Sequence, residues 1–287
     1  MENYFYSFDI SIKMNQLVKN QTYLNKVNSS GFFKYKLLDI DDVIQVENIV
    51  SGFEEKEKNI NFNGLKYSLF NLSPKLSLSL SEKLKKIIDP KLTELFFDFD
   101  SMVFSYIKKD FSTKNEFEFH QDWSYTNRKK HLTLTGWLAL HDIDENNGCL
   151  IFTKNYNNSK NIVSSSYKTE RFKIDELNKA EIIKVPLKKG EIFFFNPQAF
   201  HGSMPNKSNV ERRVITFIVN PKKAPFLYFH KLNNYFVKAF KINEEYLIEN
   251  IEALSHGKAP SNNLGNSYFF YDLKSESQKI KKQFSFN

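Results

Sequence analysis

Lys189-Gly190-Glu191-Ile192-Phe193-Phe194-Phe195-Asn196-Pro197-Gln198-Ala199-Phe200-His201-Gly202-Ser203 reads as a glycine turn, an apolar strand, an Asn-Pro stop and a histidine at the strand's far end. A proline after a short apolar run ends ladder pairing, because it carries no N–H. On either side of this segment the chain keeps the same rhythm. Strand-like runs cover Met102 to Ile107, Phe117 to His120, Leu132 to Leu140, Cys149 to Thr153, Ile182 to Val185, Ile192 to Phe195 and Arg213 to Val219, with polar turns between them. So many short strands within about 120 residues predict a β sandwich or barrel rather than alternating βαβ units. No repeat period is visible, which argues against a solenoid.

Toward the N-terminus the pattern changes. Residues 1 to about 30 are polar and mixed, ending in the turn-like Asn28-Ser29-Ser30-Gly31. The run Phe32 to Leu38 then reads as a first strand. Asp39, Asp41 and Asp42 offer caps for a helix carrying Val43, Val46, Ile49 and Val50 at helical spacing. A second helix is predicted from about Ser79 to Ile88, stopped by Pro90. Beyond Pro221 a helix is expected from about Asn243 to Leu254, in an extension that could act as lid, subunit surface or support. The fold class expected is therefore mainly β with flanking helices (α+β), a jelly-roll core in one domain over 1–287.

The 287 residues are 41 % hydrophobic and 16 % aromatic, enough to bury a large core and too apolar for a disordered chain. The net charge is +8, but no Lys/Arg block exceeds three residues, so nucleic acid is not expected as a partner. No window of about 18 apolar residues occurs and the start lacks a leader pattern, so a cytoplasmic protein without membrane contact is expected. The single Cys149 can form neither a disulfide framework nor a thiolate zinc site, and its apolar neighbours predict a buried, inert thiol.

Chemistry is concentrated in three places. In Phe119-His120-Gln121-Asp122-Trp123, side chains two apart on an extended segment point the same way, so His120 and Asp122 can reach one point. That tripeptide alone fits a solvated pair on a strand edge equally well. His201, some 80 residues on, can face the pair across a jelly roll and complete a two-histidine, one-carboxylate set, the geometry that suits non-haem Fe(II). Third, Glu211-Arg212-Arg213 opens an apolar strand, where a buried guanidinium needs an anionic partner. The carboxylate of a 2-oxo diacid matches that fork, and Ser203 could add a hydrogen bond.

The ordered set His120-x-Asp122, Trp137-Leu138-Ala139-Leu140-x-Asp142, Asn147-Gly148-Cys149-Leu150, Gly190-Glu191-Ile192-Phe193-Phe194-Phe195 and His201-Gly202-Ser203 resembles the phytanoyl-CoA dioxygenase family of Fe(II)/2-oxoglutarate oxygenases, as does the opening Gly31-Phe32-Phe33. The likeness spans about 28–221, leaving 222–287 as an extension. It implies a double-stranded β-helix, with iron held by His120, Asp122 and His201 as catalytic metal ligands. It also implies that Arg212 grips 2-oxoglutarate with help from Ser203, and that O₂ is the second co-substrate. Trp123 and Phe195 resemble family positions that face substrate, with aromatic packing in the core as the competing explanation for each, and Lys108 resembles a family lysine at the substrate site on the strand before the iron motif, although Lys109 beside it leaves that register open. The implied activity is hydroxylation of a small-molecule metabolite with release of succinate and CO₂. The retained carboxylate of Asp122 favours that outcome over halogenation. A jelly-roll protein that binds a small ligand without turnover is the alternative. Where relatives carry a Pro-Gly-Ser-His-like turn, this chain has Thr153-Lys154-Asn155-Tyr156-Asn157 and an insert to about Lys179. Its basic character leads to an expectation of an acidic or phosphate-bearing substrate, with the insert open before that substrate binds.

Overall fold

The computed structural model describes residues 17–261, apart from 63, 112, 114, 115, 129, 154–181 and 233–236, together with 266–267. The insert expected to act as a mobile basic lid lies outside the described residues, and so does most of the chain after 261.

Three helices cover one face of the molecule. Helix α1 (Gln21–Ser30) is capped by Asn20, whose side-chain oxygen accepts N–H bonds from Thr22 and Tyr23, and it ends at Gly31 in the left-handed region. Helix α2 (Ile40–Glu54) starts at Asp39, which accepts from the Asp42 N–H at 2.9 Å. It buries Val43, Val46, Val50 and Phe53. After strand β2 (Leu65–Tyr67) and the short helix α3 (Ser68–Asn71), helix α4 runs Pro74–Leu92, longer at both ends than Ser79–Ile88. Pro74 sits in its first turn, where a missing N–H costs nothing. Pro90 falls in its last turn, and the buried row Leu80, Leu84, Ile88 and Leu92 continues past it. The polar stretch before Gly31 is likewise a helix, α1, which sets Tyr23, Leu24 and Val27 at helical spacing against the core.

The strands form two facing antiparallel sheets. One has six strands in the order β1 (Phe32–Lys36), β8 (Glu191–Phe195), β5 (Leu134–Ala139), β10 (Arg212–Pro221), β3 (Phe99–Lys109) and β2. The other has four: β4 (Phe117–His120), β9 (His201–Ser203), β6 (Leu150–Thr153) and β7 (Ile182–Val185). This is the jelly-roll core expected. All seven strand runs read from the sequence are present, with ends shifted by a few residues. The helices pack on the outer face of the large sheet through Ile192, Phe194, Ile215 and Phe217. Its inner face turns Trp137, Phe193, Phe195 and Val214 toward the small sheet. Strand alternation thus divides each strand between a structural side and a site side.

Beyond Pro221 come β11 (Leu227–Lys231), β12 (Val237–Lys241) and a two-residue strand β13 (Asn266–Ser267), which form a third sheet. The single helix expected from Asn243 is two, α5 (Glu244–Glu249) and α6 (Ile251–Ser255), because Asn250 leaves helical geometry between them. No helix among the described residues is long and apolar enough to cross a membrane.

One strained residue ties the extension to the core. Val103 in β3 has φ +59°, which a β-branched side chain strongly disfavours, beside an irregularity in the β3–β10 pairing. Its N–H donates to Glu244 Oε1 at 2.7 Å, the Ser81 hydroxyl donates to the same oxygen at 2.6 Å, and Ser81 Oγ accepts from the Phe104 N–H at 3.1 Å. Glu244→Ala should therefore lower unfolding stability by about 1–3 kcal/mol, since it strands two donors, one of them at a strained backbone. A urea midpoint unchanged by this substitution would mean that water replaces the carboxylate at no cost.

Candidate metal centre

His120 ends β4 and His201 begins β9, and the two are cross-strand partners. Gly202 allows this approach. A Cβ at that position would collide with the Phe117 carbonyl oxygen of the neighbouring strand. Each ring is then fixed through its Nδ1, which donates to a main-chain oxygen: His120 to Glu118 O and His201 to Ala199 O, both at 2.9 Å. A carbonyl can only accept, so both Nδ1 atoms carry a proton and the Nε2 atoms are the ones turned into the site. These face Asp122 Oδ1 at 3.7 Å from His120 and 3.5 Å from His201.

The three ligand atoms lie within 4.8 Å of one another. One cation at about 2.0–2.2 Å from each would fit between them. The surroundings support that use. The other carboxylate oxygen, Asp122 Oδ2, accepts from Thr135 Oγ1 at 3.0 Å, which leaves Oδ1 turned toward the histidines. His201 is buried, stacked on Phe152 at 5.3 Å and packed against Phe195 at 4.6 Å. Burial alone would raise the Asp122 pKa, but the two imidazoles and the Thr135 hydroxyl bring it down to about 2. The carboxylate is therefore ionised, and with the two Nε2 atoms it makes a donor set for a divalent ion. Thr135→Val should weaken binding of a divalent metal by about 10–100-fold while keeping the same ligands, because the carboxylate loses the bond that orients it. An unchanged metal titration would show that Thr135 only packs.

A second pocket adjoins this one. Arg212 and Lys109 are cross-strand partners on the inner face of β10 and β3, and both are about 1 % exposed. The Lys109 ammonium donates to Ser203 Oγ at 3.0 Å and to the Met204 carbonyl oxygen. Arg212 donates to the Gly148 carbonyl at 3.0 Å and lies 5.0 Å over the Trp137 ring, while its buried Nε has no partner among the described residues. Gly148 has φ +90°, and a Cβ there would press on the Lys109 stem at 3.2 Å. Asp142 accepts the Lys189 N–H, and Asn147 donates to the Asp142 carbonyl, so these motif residues fold the turn that presents Gly148 to Arg212.

The outward rung has opposite electrostatics. Lys108 and Arg213, one residue along each strand, meet Glu57 at 2.8 Å, Glu54 at 3.5 Å from each, and Glu211 at 2.8 Å. The inward pair has no carboxylate at ion-pair distance among the described residues. Burial and the Arg212 charge pull the Lys109 ammonium down to about 7, and burial pulls Arg212 down to about 10. Two buried basic groups beside a hydroxyl and a buried guanidinium N–H are chemistry that suits an anionic ligand.

Of the residues singled out from sequence, His120, Asp122, His201, Ser203 and Arg212 converge here. Lys108 does not: strand alternation turns it outward onto Glu54 and Glu57, and the lysine on the inner face is Lys109. Phe195 packs behind His201. Trp123, next to Asp122 in the chain, is partly exposed and packs in one cluster with Tyr67 and Tyr125. Cys149 is buried and burial pushes its thiol up to about 11. Lys109, Thr135, Tyr67 and Tyr125 were not read from the sequence as site residues. Only Lys109 had a local signal, as the neighbour that left the register open.

A family model for phytanoyl-CoA dioxygenase (PhyH) matches residues 53–214. A Dictyostelium discoideum protein named phytanoyl-CoA dioxygenase domain-containing protein 1 homolog is 25 % identical over 169 residues, covering 55 % of this chain and 59 % of that protein. The chain thus spans about three fifths of the length of this curated relative. Among solved structures, the non-haem α-ketoglutarate-dependent epimerase SnoN from nogalamycin biosynthesis is similar with a TM-score of 0.51 at 14 % identity, covering 71 % of this chain and 82 % of that one. That likeness is one of fold. HygX from Streptomyces hygroscopicus, crystallised with nickel, 2-oxoglutarate and hygromycin B, gives 0.48 at 13 % identity over 71 % and 88 % of the two chains.

Proposed function

Since the chain belongs to the phytanoyl-CoA dioxygenase family, we propose that it is an Fe(II)- and 2-oxoglutarate-dependent oxygenase that hydroxylates a small organic molecule. The observation that carries this reading is the coupling of two incomplete sites. A divalent-metal triad and a buried Arg-Lys pair, with no carboxylate at ion-pair distance among the described residues, meet on strand β9, with His201 in one and Ser203 in the other.

Fe(II) bound by His120, Asp122 and His201 would leave positions for the keto acid end of 2-oxoglutarate and for O₂, supplying a decarboxylation to succinate and CO₂ coupled to substrate oxidation. The protein's part is to hold and exclude. Arg212 offers a planar fork to the distal carboxylate, Lys109 a second positive charge and Ser203 a hydroxyl. Trp137 keeps the guanidinium from swinging away. Phe152, Phe193 and Phe195 close the space behind His201 to water. Asp122 fills the third ligand position with a carboxylate, so no place is made there for a halide.

The direct test is succinate formation from 2-oxoglutarate. It should require added Fe(II) and O₂ and stop when the metal is chelated. Metal and 2-oxoglutarate binding without any succinate, under all substrates tried, would favour a ligand-binding jelly roll.

The cofactor pocket also carries a pH signature. Lys109 titrates near 7 in the free protein because burial and Arg212 disfavour its charge. A dianion stabilises the charged form, so binding above that pH must take up a proton. The 2-oxoglutarate Kd should therefore weaken as pH rises from about 7 toward 9, by at most about tenfold per unit. Lys109→Met should bind more weakly and lose this slope. A wild-type Kd that is flat across the range would remove Lys109 from the anion site.

A further inference from the structure

A wall of aromatic rings begins one residue beyond Asp122, and part of it comes from residues beyond the family match. Trp123 and Tyr125 follow Asp122 on the same segment and are partly exposed. Behind them stand two buried residues of the extension. Phe226 stacks on Tyr125 at 5.1 Å and 11°, and Tyr228 meets Trp123 edge-on at 6.2 Å and 75°. The Leu227 N–H donates to the Tyr125 carbonyl at 2.8 Å, and the Tyr228 hydroxyl donates to the Leu254 carbonyl at 2.9 Å. The wall is thus bolted to a core made of Phe240, Leu247, Ile248 and Leu254. Tyr67 on β2 is partly exposed and packs with the same cluster.

Two phenols, Tyr67 and Tyr125, are close enough to Asp122 to feel its charge. Burial raises both their pKa values, Tyr67 to about 12, and the charge of Asp122 adds to the effect in each. Both therefore stay protonated and can donate hydrogen bonds toward whatever occupies the space beside Asp122.

A surface of ring faces with fixed O–H donors selects for a particular kind of molecule. Rings offer stacking and edge contacts that a flexible chain cannot match, because a chain loses rotamer freedom on binding and gains no such geometry. Building on the oxygenase reading above, we propose that Phe226 and Tyr228 of the extension complete the substrate site, and that the substrate is a ring-bearing, oxygen-substituted organic molecule. It would stack against Trp123 and Tyr125 and accept a hydrogen bond from Tyr67 or Tyr125. The extension then acts as a specificity element rather than a passive support.

The test uses the full chain loaded anaerobically with Fe(II) and 2-oxoglutarate, titrated calorimetrically with 2-naphthol and with the comparably hydrophobic but flexible 1-octanol. We expect 2-naphthol to bind about tenfold or more tightly than 1-octanol. Phe226→Leu, outside the family-like core, should weaken 2-naphthol by about fivefold and Tyr125→Ala by more, with the 2-oxoglutarate Kd unchanged as proof of an intact cofactor site. Equal binding of the two probes, no binding of 2-naphthol, or indifference to both substitutions would overturn the proposal. If wild-type protein fails to bind 2-oxoglutarate, the oxygenase reading falls on its own. The same titration of metal-free protein then still decides for or against the ring wall.

Discussion

Asp122→Ala should bind Fe(II) more than about 100-fold more weakly than the parent and form no detectable succinate, while unfolding at nearly the same denaturant concentration. The size follows from the chemistry of ligation. Loss of a group that merely orients a ligand typically costs about 10–100-fold in metal affinity, so loss of the ligand itself must exceed that. The carboxylate is also the only anionic donor in the set, and two neutral imidazoles without it are a poor match for a divalent cation. Stability should be spared because the Asp122 side chain is 28 % exposed and packs against no core cluster. His120→Ala should behave in the same way, its side chain being 17 % exposed. His201 is different. It is buried between Phe152 and Phe195, so His201→Ala adds a cavity to the lost ligand and should cost stability as well as metal. Metal titration read beside a denaturation curve separates the two effects. If two of the three alanine variants keep parental turnover, the metal centre is elsewhere.

How much of this could be read before the fold was known follows from the range of each interaction. His120 and Asp122 are two apart on an extended segment, so their convergence is a local property and legible from spacing. His201 needed the jelly roll, which the seven strand runs supplied. The strands themselves were legible because their inner and outer faces are both apolar and turns separate them. Helix α1 was not, although Tyr23, Leu24 and Val27 stand at helical spacing, because polar residues outnumber them and Asn28-Ser29-Ser30 reads as a turn. Helix α4 was read short because proline was given the force it has in a helix interior, whereas Pro90 sits in a last turn. The choice between Lys108 and Lys109 depends on the β3–β10 register, set by pairings about 100 residues apart in sequence. The same holds for Tyr67, Tyr125 and Phe226. They meet only after three separate elements have docked, and each alone looks like an ordinary aromatic residue of a Phe-rich chain.

Arg212→Ala should raise the 2-oxoglutarate concentration needed for half-maximal succinate formation by about 30-fold to a few thousandfold, the range that 2–5 kcal/mol corresponds to. The penalty is large because both partners of the interaction are taken from water. Arg212 is about 1 % exposed and has no carboxylate among the described residues, so its charge is already desolvated and waits for the ligand's. Removing it leaves the distal carboxylate beside Lys109 alone, whose own charge is weakened by burial. Arg213→Ala is the matched control. That guanidinium is one residue along, on the opposite face of β10, and its side chain is 37 % exposed with Glu54 and Glu211 as partners. Its loss should cost at most about 1 kcal/mol of stability and change the 2-oxoglutarate requirement less than threefold or so. The metal supplies a further check on specificity. Since Arg212 touches none of the three ligands, Fe(II) affinity measured without 2-oxoglutarate should be unchanged in Arg212→Ala. Equal effects of the two substitutions on 2-oxoglutarate, or a larger one at Arg213, would mean that the anion enters from the α2 side of the sheet and that the inward rung is only structural.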